Sequence, residues 1–463
     1  MQQLHNSTII ILGATGDLAV KNLIPALYEL FVEQTTINFS LIGVAQNNFS
    51  SAELLSKVRP FLAQFNQEKW DLFLQNSFFI TTDLTDPKSY IALEKLIINV
   101  ETNKTGSRIV YCACPPQLFI IAARYCVQYK IIEKLSSHKI VFEKPFGMDA
   151  TSAQELHTAL TNILAADQII RADHYLAKEL VETVTYLRFT NEIFEPLWNN
   201  NHIEYVLINL KEMVTLENRA ALYDSLGVMR DVIQSHALQL LSLVAMEAPL
   251  KLEDQSLHAE KIAILKKTQI THAIFGQYIG YKTHKGVKQE TSTPTYALIT
   301  CAIDTPRWEK VPFIIQAGKG LDKQETEIKL VFKKPLCRLT PGCPIFHNEL
   351  IIKIAPQSEF TFSINIKKPA VNDEIVPIGL SFCYHCMWPY TPQAYRVIFE
   401  NIIQDIQSIS VPFAEILEAW NIVDTSIKTQ GNDIYFYNIG SSGPVQATEY
   451  LQAVPGIRKG EVK

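Results

Sequence analysis

At 463 residues the chain is longer than one hydrophobic core usually organises, which predicts two domains. With 47% apolar and 19% charged residues it is neither disordered nor collagen-like, and 42 basic against 47 acidic residues, with no run of Lys or Arg, exclude a nucleic-acid footprint. No apolar run approaches the roughly 18 residues of a membrane span, so neither nucleic acid nor membrane is an expected partner and the expected location is cytoplasmic.

From the N-terminus, Thr8 to Leu12 reads as a strand because it runs straight into a glycine turn. Leu41 to Ala45, Phe78 to Thr81, Arg108 to Ala113 and Lys139 to Phe142 read the same way, with a last strand near Gln168 to Arg171. Between them Leu18 to Glu33, Ser51 to Phe65, Asp86 to Val100 and Leu118 to Tyr129 read as helices. Near-continuous apolar strands joined by helices predict a doubly wound, Rossmann-like parallel sheet. The loop Gly13-Ala14-Thr15-Gly16-Asp17-Leu18-Ala19 follows the first strand and opens a helix, where backbone amides can face a pyrophosphate. That nominates Gly13, Thr15, Gly16, Asp17 and Leu18 as cofactor contacts. After the second strand, where an acid would favour NAD and a base NADP, stands Gln46. It can bond a hydroxyl or a phosphate oxygen, and Lys21 is within reach, so these residues leave the choice between NADP and NAD open.

Beyond about residue 200 the pattern changes to longer alternating strands, Glu204 to Leu210, Thr295 to Ile303, Glu327 to Phe332, Leu350 to Ile354 and Phe360 to Ile366. One long apolar helix is expected from Ser225 to Met246, and two more at Pro392 to Gln407 and Ala414 to Lys428. Grouped strands with helices on one side predict an α+β domain with a large, mainly antiparallel sheet. The expected division is 1–185 for dinucleotide binding and 186–463 for substrate binding and oligomerisation. The eight cysteines read as reduced, buried thiols. Cys383 and Cys386 have metal-like local spacing, but Cys337 and Cys343 are too far apart to complete a zinc set, and no metal site is expected.

Four stretches together resemble the glucose-6-phosphate dehydrogenase family: Gly13 to Ala19, Glu143-Lys144-Pro145-Phe146-Gly147, Arg171-Ala172-Asp173-His174-Tyr175-Leu176-Ala177-Lys178, and Arg230-Asp231-Val232-Ile233-Gln234-Ser235-His236. Arg307-Trp308-Glu309 and Ala317-Gly318-Lys319 support the match, which runs in order over nearly the whole chain. The resemblance implies oxidation of glucose 6-phosphate at C1 to the 1,5-lactone with reduction of NADP or NAD, the first step of the oxidative pentose phosphate pathway. It implies His236 as the base, Asp173 as the carboxylate that orients it, and His174, Tyr175 and Lys178 as the grip on the sugar phosphate. A helix starting near Tyr175 would set His174 and Lys178 on one face. Glu212 and Asp231 match acceptors of the sugar hydroxyls, Lys144 and Lys319 match substrate lysines, and Pro145 fixes Lys144 between sugar and cofactor. Relatives are dimers and tetramers, so a homo-oligomer is expected.

Departures from the family pattern are Gln46 for an Arg, Ala177 for a Gly, Asn218-Arg219-Ala220-Ala221 for a glycine-rich run, Gln324 for a base and Met148 for an Arg. Lys329 and Lys353 only partly represent the basic residues of an additional structural NADP site. Two other readings remain at this point: an NAD-dependent oxidoreductase of unphosphorylated sugars, and a catalytically weak homologue serving as a binding or assembly subunit.

Overall fold

The computed structural model describes residues 7–33, 39–46, 48–101, 106–216, 220–251, 253–335, 345–369, 374–388, 392–406, 410–429 and 433–454. Asn218, Arg219, Cys337 and Cys343 lie outside them. The chain forms two compact units, one of Met1–Ala177 with Pro392–Phe413, the other of Lys178–Thr391 with Ala414–Lys463. The stretch Pro392–Phe413, counted in the second domain by the division expected from sequence, is thus part of the first unit.

In the first unit six strands, β1 (Ser7–Leu12), β2 (Phe39–Ala45), β3 (Ser77–Thr81), β4 (Ser107–Cys112), β5 (His138–Phe142) and β6 (Ile169–Arg171), form a parallel sheet in the order β3-β2-β1-β4-β5-β6. Every residue of β1, β2 and β5 is buried, which is why these strands read as unbroken apolar runs. Helices Ile24–Glu33, Ser51–Val58, Ser89–Val100 and Phe119–Gln128 fall where the periodicity predicts them, and Gln67–Gln75 and Ala150–Thr161 add two more. Tyr28 packs edge-on against Trp70 and Phe73 with ring centroids 5.3 and 5.5 Å away. Helix Ala394–Ile403 joins this unit by burying Ile398, Phe399 and Ile402 in the same core. Each such side chain contributes about 1.5–3 kcal/mol on burial. Arg396 pairs with Glu33 at 2.7 Å, and the Val411 amide donates to the Arg171 carbonyl at 3.0 Å.

The second unit is built on nine strands: β7 (Ile203–Lys211), β8 (Thr268–Tyr278), β9 (Tyr296–Ile303), β10 (Phe313–Gly318), β11 (Glu325–Phe332), β12 (Glu349–Ala355), β13 (Glu359–Lys367), β14 (Ile375–Cys383) and β15 (Ile434–Tyr437). Their order is β14-β13-β12-β11-β7-β10-β9-β8-β15. β7/β10 and β8/β15 are parallel and the remaining pairs antiparallel. The one long helix expected from Ser225 to Met246 is instead three segments. Gly227 has φ 65 and lies against Thr293 and Pro294, ending Ala220–Val228. A π-helix, Met229–Ala237, follows, and then α-helix Leu238–Ala245. The far end of this run is capped from three sides: Trp198 donates to the Val244 carbonyl and Trp308 to that of Ala245, both at 2.8 Å, and Arg188 donates to those of Val244 and Met246. Arg307 holds Glu247 through both carboxylate oxygens. Of the Arg-Trp pair in the sequence match, Trp308 therefore satisfies a helix-end carbonyl, while Arg307 bonds Glu247 and the Trp198 carbonyl. No helix among the described residues is long and apolar enough to cross a membrane.

Candidate active site

Because the first sheet is parallel, the loops after β1, β5 and β6 leave the same edge, and the order of strands reverses between β1 and β4, where open α/β sheets bind ligands. After β1, Gly13 has φ 94, and a Cβ there would lie 2.5 Å from the Ala113 carbonyl oxygen, so only glycine fits. The amides of Gly13 and Ala14 donate to the Val44 carbonyl, and that of Gly16 to the Gly13 carbonyl. These bonds fix the turn that carries Thr15, Asp17 and Leu18 to the start of the helical run at Ala19. Lys21 is engaged with Asp17 at 3.3 Å. Gln46 follows β2 in an exposed position, and its amide nitrogen lies 3.4 Å from Asp83 Oδ1. Asp83 also accepts from the Thr85 amide and hydroxyl at 2.9 and 2.8 Å. The Thr85 amide, then its hydroxyl, hold the Asp83 carboxyl below the usual range, so a negative charge stands beside Gln46. Sequence reasoning missed Asp83, which only the pairing of β2 with β3 brings there.

After β5, Lys144 is half-buried, the Lys144–Pro145 bond is cis, and Gly147 has φ 83. A Cβ at Gly147 would meet the Ala153 amide at 2.5 Å, which accounts for the glycine of this motif. Glu143, not singled out from sequence, is buried and accepts a hydrogen bond from the Tyr111 hydroxyl at 2.5 Å. Burial pushes its carboxyl up to about 7 against the lowering effects of Tyr111 and Lys144. After β6, buried Asp173 accepts from the Tyr175 amide at 2.9 Å. The His174 ring stacks on Tyr395, 5.6 Å between centroids. The helix expected near Tyr175 begins at Glu179, with Lys178 as its N-cap. The Asp173 side chain captures the Tyr175 amide in a turn, a local bond that competes with helix initiation.

In the second unit, three of the substrate candidates converge. Lys319, 7% exposed, leaves the end of β10 and meets both Glu212 oxygens at 2.7 Å and Asp231 Oδ2 at 3.8 Å. Glu212 follows β7, the parallel neighbour of β10, and Asp231 lies on the π-helix. His236, buried on the same π-helix, is five residues after Asp231, one i→i+5 turn along it. Tyr223, missed from sequence, is buried with its ring 5.8 Å from Lys319 Nζ. Its hydroxyl has no hydrogen-bond partner among the described residues. Burial and the carboxylates of Asp231 and Glu212 keep that hydroxyl protonated.

The departures have local partners. Ala220 is in the core, and Ala221 packs where a Cβ on Gly286 would come within 2.7 Å. Gln324 accepts from the Met213 amide at 3.2 Å, and Lys329 and Lys353 pair with Glu349 and Glu359. The reading of buried, reduced thiols fails at Cys383 and Cys386, which are bonded to each other, with Cys386 exposed.

Comparison with known proteins identifies the family. Residues 10–183 match the model of the glucose-6-phosphate dehydrogenase NAD-binding domain, and residues 185–455 match that of its C-terminal domain. The chain is 34% identical to a glucose-6-phosphate 1-dehydrogenase of Borreliella burgdorferi over 97% of its own length and 98% of the relative. It is 33% identical to one from Dictyostelium discoideum over 97% and 95%. A solved glucose-6-phosphate dehydrogenase in complex with its substrate superposes with TM-score 0.89 at 30% identity, covering 99% of each chain. The chain therefore belongs to the glucose-6-phosphate dehydrogenase family and is an NAD(P)-dependent oxidoreductase with that family's two domains.

Proposed function

We propose that the chain oxidises D-glucose 6-phosphate at C1 to 6-phospho-D-glucono-1,5-lactone. The observation that carries this reading is the cluster of Lys319 with Glu212 and Asp231, set one π-turn from His236. Two carboxylates held by a buried lysine, which offsets one of their two charges, can accept hydrogen bonds from sugar hydroxyls. His236 takes the proton of the C1 hydroxyl as the C1 hydride departs, and Asp173 orients the imidazole and stabilises its cation. His174, Tyr175 and Lys178 bind the phosphate, and Lys144 contacts the sugar. The dinucleotide, NADP or NAD, supplies the hydride acceptor when bound. The glycine-only turn at Gly13 suits a pyrophosphate; Thr15, Gly16, Asp17, Leu18, Gln46 and Pro145 would help to hold the dinucleotide.

The test is absorbance at the reduced-nicotinamide band with glucose 6-phosphate, run with NADP and with NAD, and with unphosphorylated glucose as control. Reduction that depends on the phosphate is expected. Equal turnover of glucose would overturn the phosphate grip, and no reduction from folded protein would overturn the activity. We place the reaction in the cytoplasm and expect a homodimer or homotetramer. The half-exposed faces of β13 and β14, with Leu380 54% exposed, support self-association, and light scattering of the purified chain reads it directly.

A further inference from the structure

β14 is an outer strand of the second sheet. Its last residue, Cys383, is bonded to Cys386 across the short helix Tyr384–Met387, with Cα atoms 5.3 Å apart. Tyr384, between the two, is held at both ends: its amide donates to the Ser358 carbonyl at 2.9 Å, and its hydroxyl lies 2.8 Å from Thr183 Oγ1. Thr183 belongs to helix Glu179–Phe189. The rings of Phe382, Tyr384 and Trp388 pack with centroids 5.1–5.7 Å apart, while Trp388 and Met387 remain 53% and 63% exposed.

The two sulfurs differ in a way that gives the bond a direction. Cys386 is exposed and Cys383 half-buried, so an incoming thiolate reaches Cys386. The Cys386 amide donates to Cys383 Sγ at 3.2 Å, a bond that strengthens when that sulfur carries negative charge, making Cys383 the better leaving group. We propose that Cys383 and Cys386 form a thiol–disulfide exchange site, entered by a dithiol at Cys386, whose closed bond holds Tyr384 against helix Glu179–Phe189. One thiolate of the dithiol attacks Cys386 Sγ; a mixed disulfide forms, the Cys383–Cys386 bond breaks, and Cys383 leaves as thiolate. The second thiol of the reagent, deprotonated, then closes onto the first and releases Cys386 as thiolate. The dithiol is oxidised and the protein disulfide reduced, two electrons each, and the two released thiolates take up the two protons lost by the reagent.

The test holds the full chain in glutathione buffers stepped from oxidised to reduced. After acid quenching and alkylation, the peptide bearing both cysteines is weighed. It should carry no alkyl group at the oxidised end and two at the reduced end, in one transition. Alkylation of both cysteines at every ratio would overturn the site. In Cys383→Ser, oxidised glutathione should add to Cys386 and dithiothreitol remove it; failure to add would overturn the assigned point of entry. Reduction should also speed amide exchange in helix Glu179–Phe189 by about fivefold, the effect of losing one hydrogen bond. Tyr384→Phe should exchange at the fast rate in both redox states. An unresponsive wild type, or a response that persists in Tyr384→Phe, would overturn the link to the helix.

Discussion

Replacing Glu143 by Gln isolates the consequence of one buried carboxyl. Burial is the main cause of its raised value, from an ordinary 4.5 to about 7. A gap of about 2.5 units corresponds to about 3 kcal/mol. The sign follows from proton counts. In the folded chain Glu143 keeps its proton up to about pH 7, while in the unfolded chain it loses it near the ordinary value. Its contribution to stability is therefore fully present below about pH 4.5 and is lost as pH rises through about 7. Gln offers Tyr111 an acceptor oxygen without titrating. Thermal unfolding of wild type and Glu143→Gln from pH 5 to 8 should show the variant gaining on wild type as pH rises. About 2.5 kcal/mol of this falls between pH 5 and 8, and at about 2–4 °C per kcal/mol for a unit of this size the swing is about 5–10 °C. A difference between the two proteins that stays constant across this window would refute both the burial and the sign.

Three further outcomes are expected. His236→Asn should lower kcat by about 10² to 10⁴-fold with dinucleotide binding retained, and near-normal turnover would remove His236 as the base. Lys178→Ala should raise KM for glucose 6-phosphate by about ten- to a hundredfold, the worth of a charged hydrogen bond, without changing the slow turnover of glucose; an equal loss on both sugars would place Lys178 away from the phosphate. Asp83→Asn should shift the ratio of kcat/KM for NADP over NAD upward by about tenfold at low salt, since it removes a like charge beside the expected 2′-phosphate, and the shift should shrink as salt screens it. An unmoved ratio would show that Asp83 has no part in cofactor choice.

The parallel sheet was legible because β1, β2 and β5 are buried on both faces and carry no polar alternation to blur them. Four strands of the second unit were not. β14 contains Pro377 and Gly379, which read as turn residues yet stand in an outer strand, and β15 is only four residues long. The helix predicted from Tyr175 was displaced to Glu179 by one side-chain bond from Asp173. The helix predicted through Gly227 was interrupted by a positive φ that packing against Pro294 favours and periodicity does not register.

The sequence by itself determined which groups are available for the chemistry and which local turns carry them: a glycine-only turn after β1, a Lys-Pro turn after β5, and a histidine five residues after an aspartate. Those are properties of neighbours, governed by backbone sterics and helical spacing. Only the tertiary structure decided that Lys319 meets Glu212, 107 residues away, that Asp83 stands beside Gln46, that helix Ala394–Ile403 returns to the first core, and that the exposed Cys386 is bonded to Cys383. The first three are long-range pairings of polar, charged or apolar groups that no local pattern encodes, because their energy exists only once the sheets have brought the partners together; the last joins residues three apart and turns on the strand that ends in a short helix there.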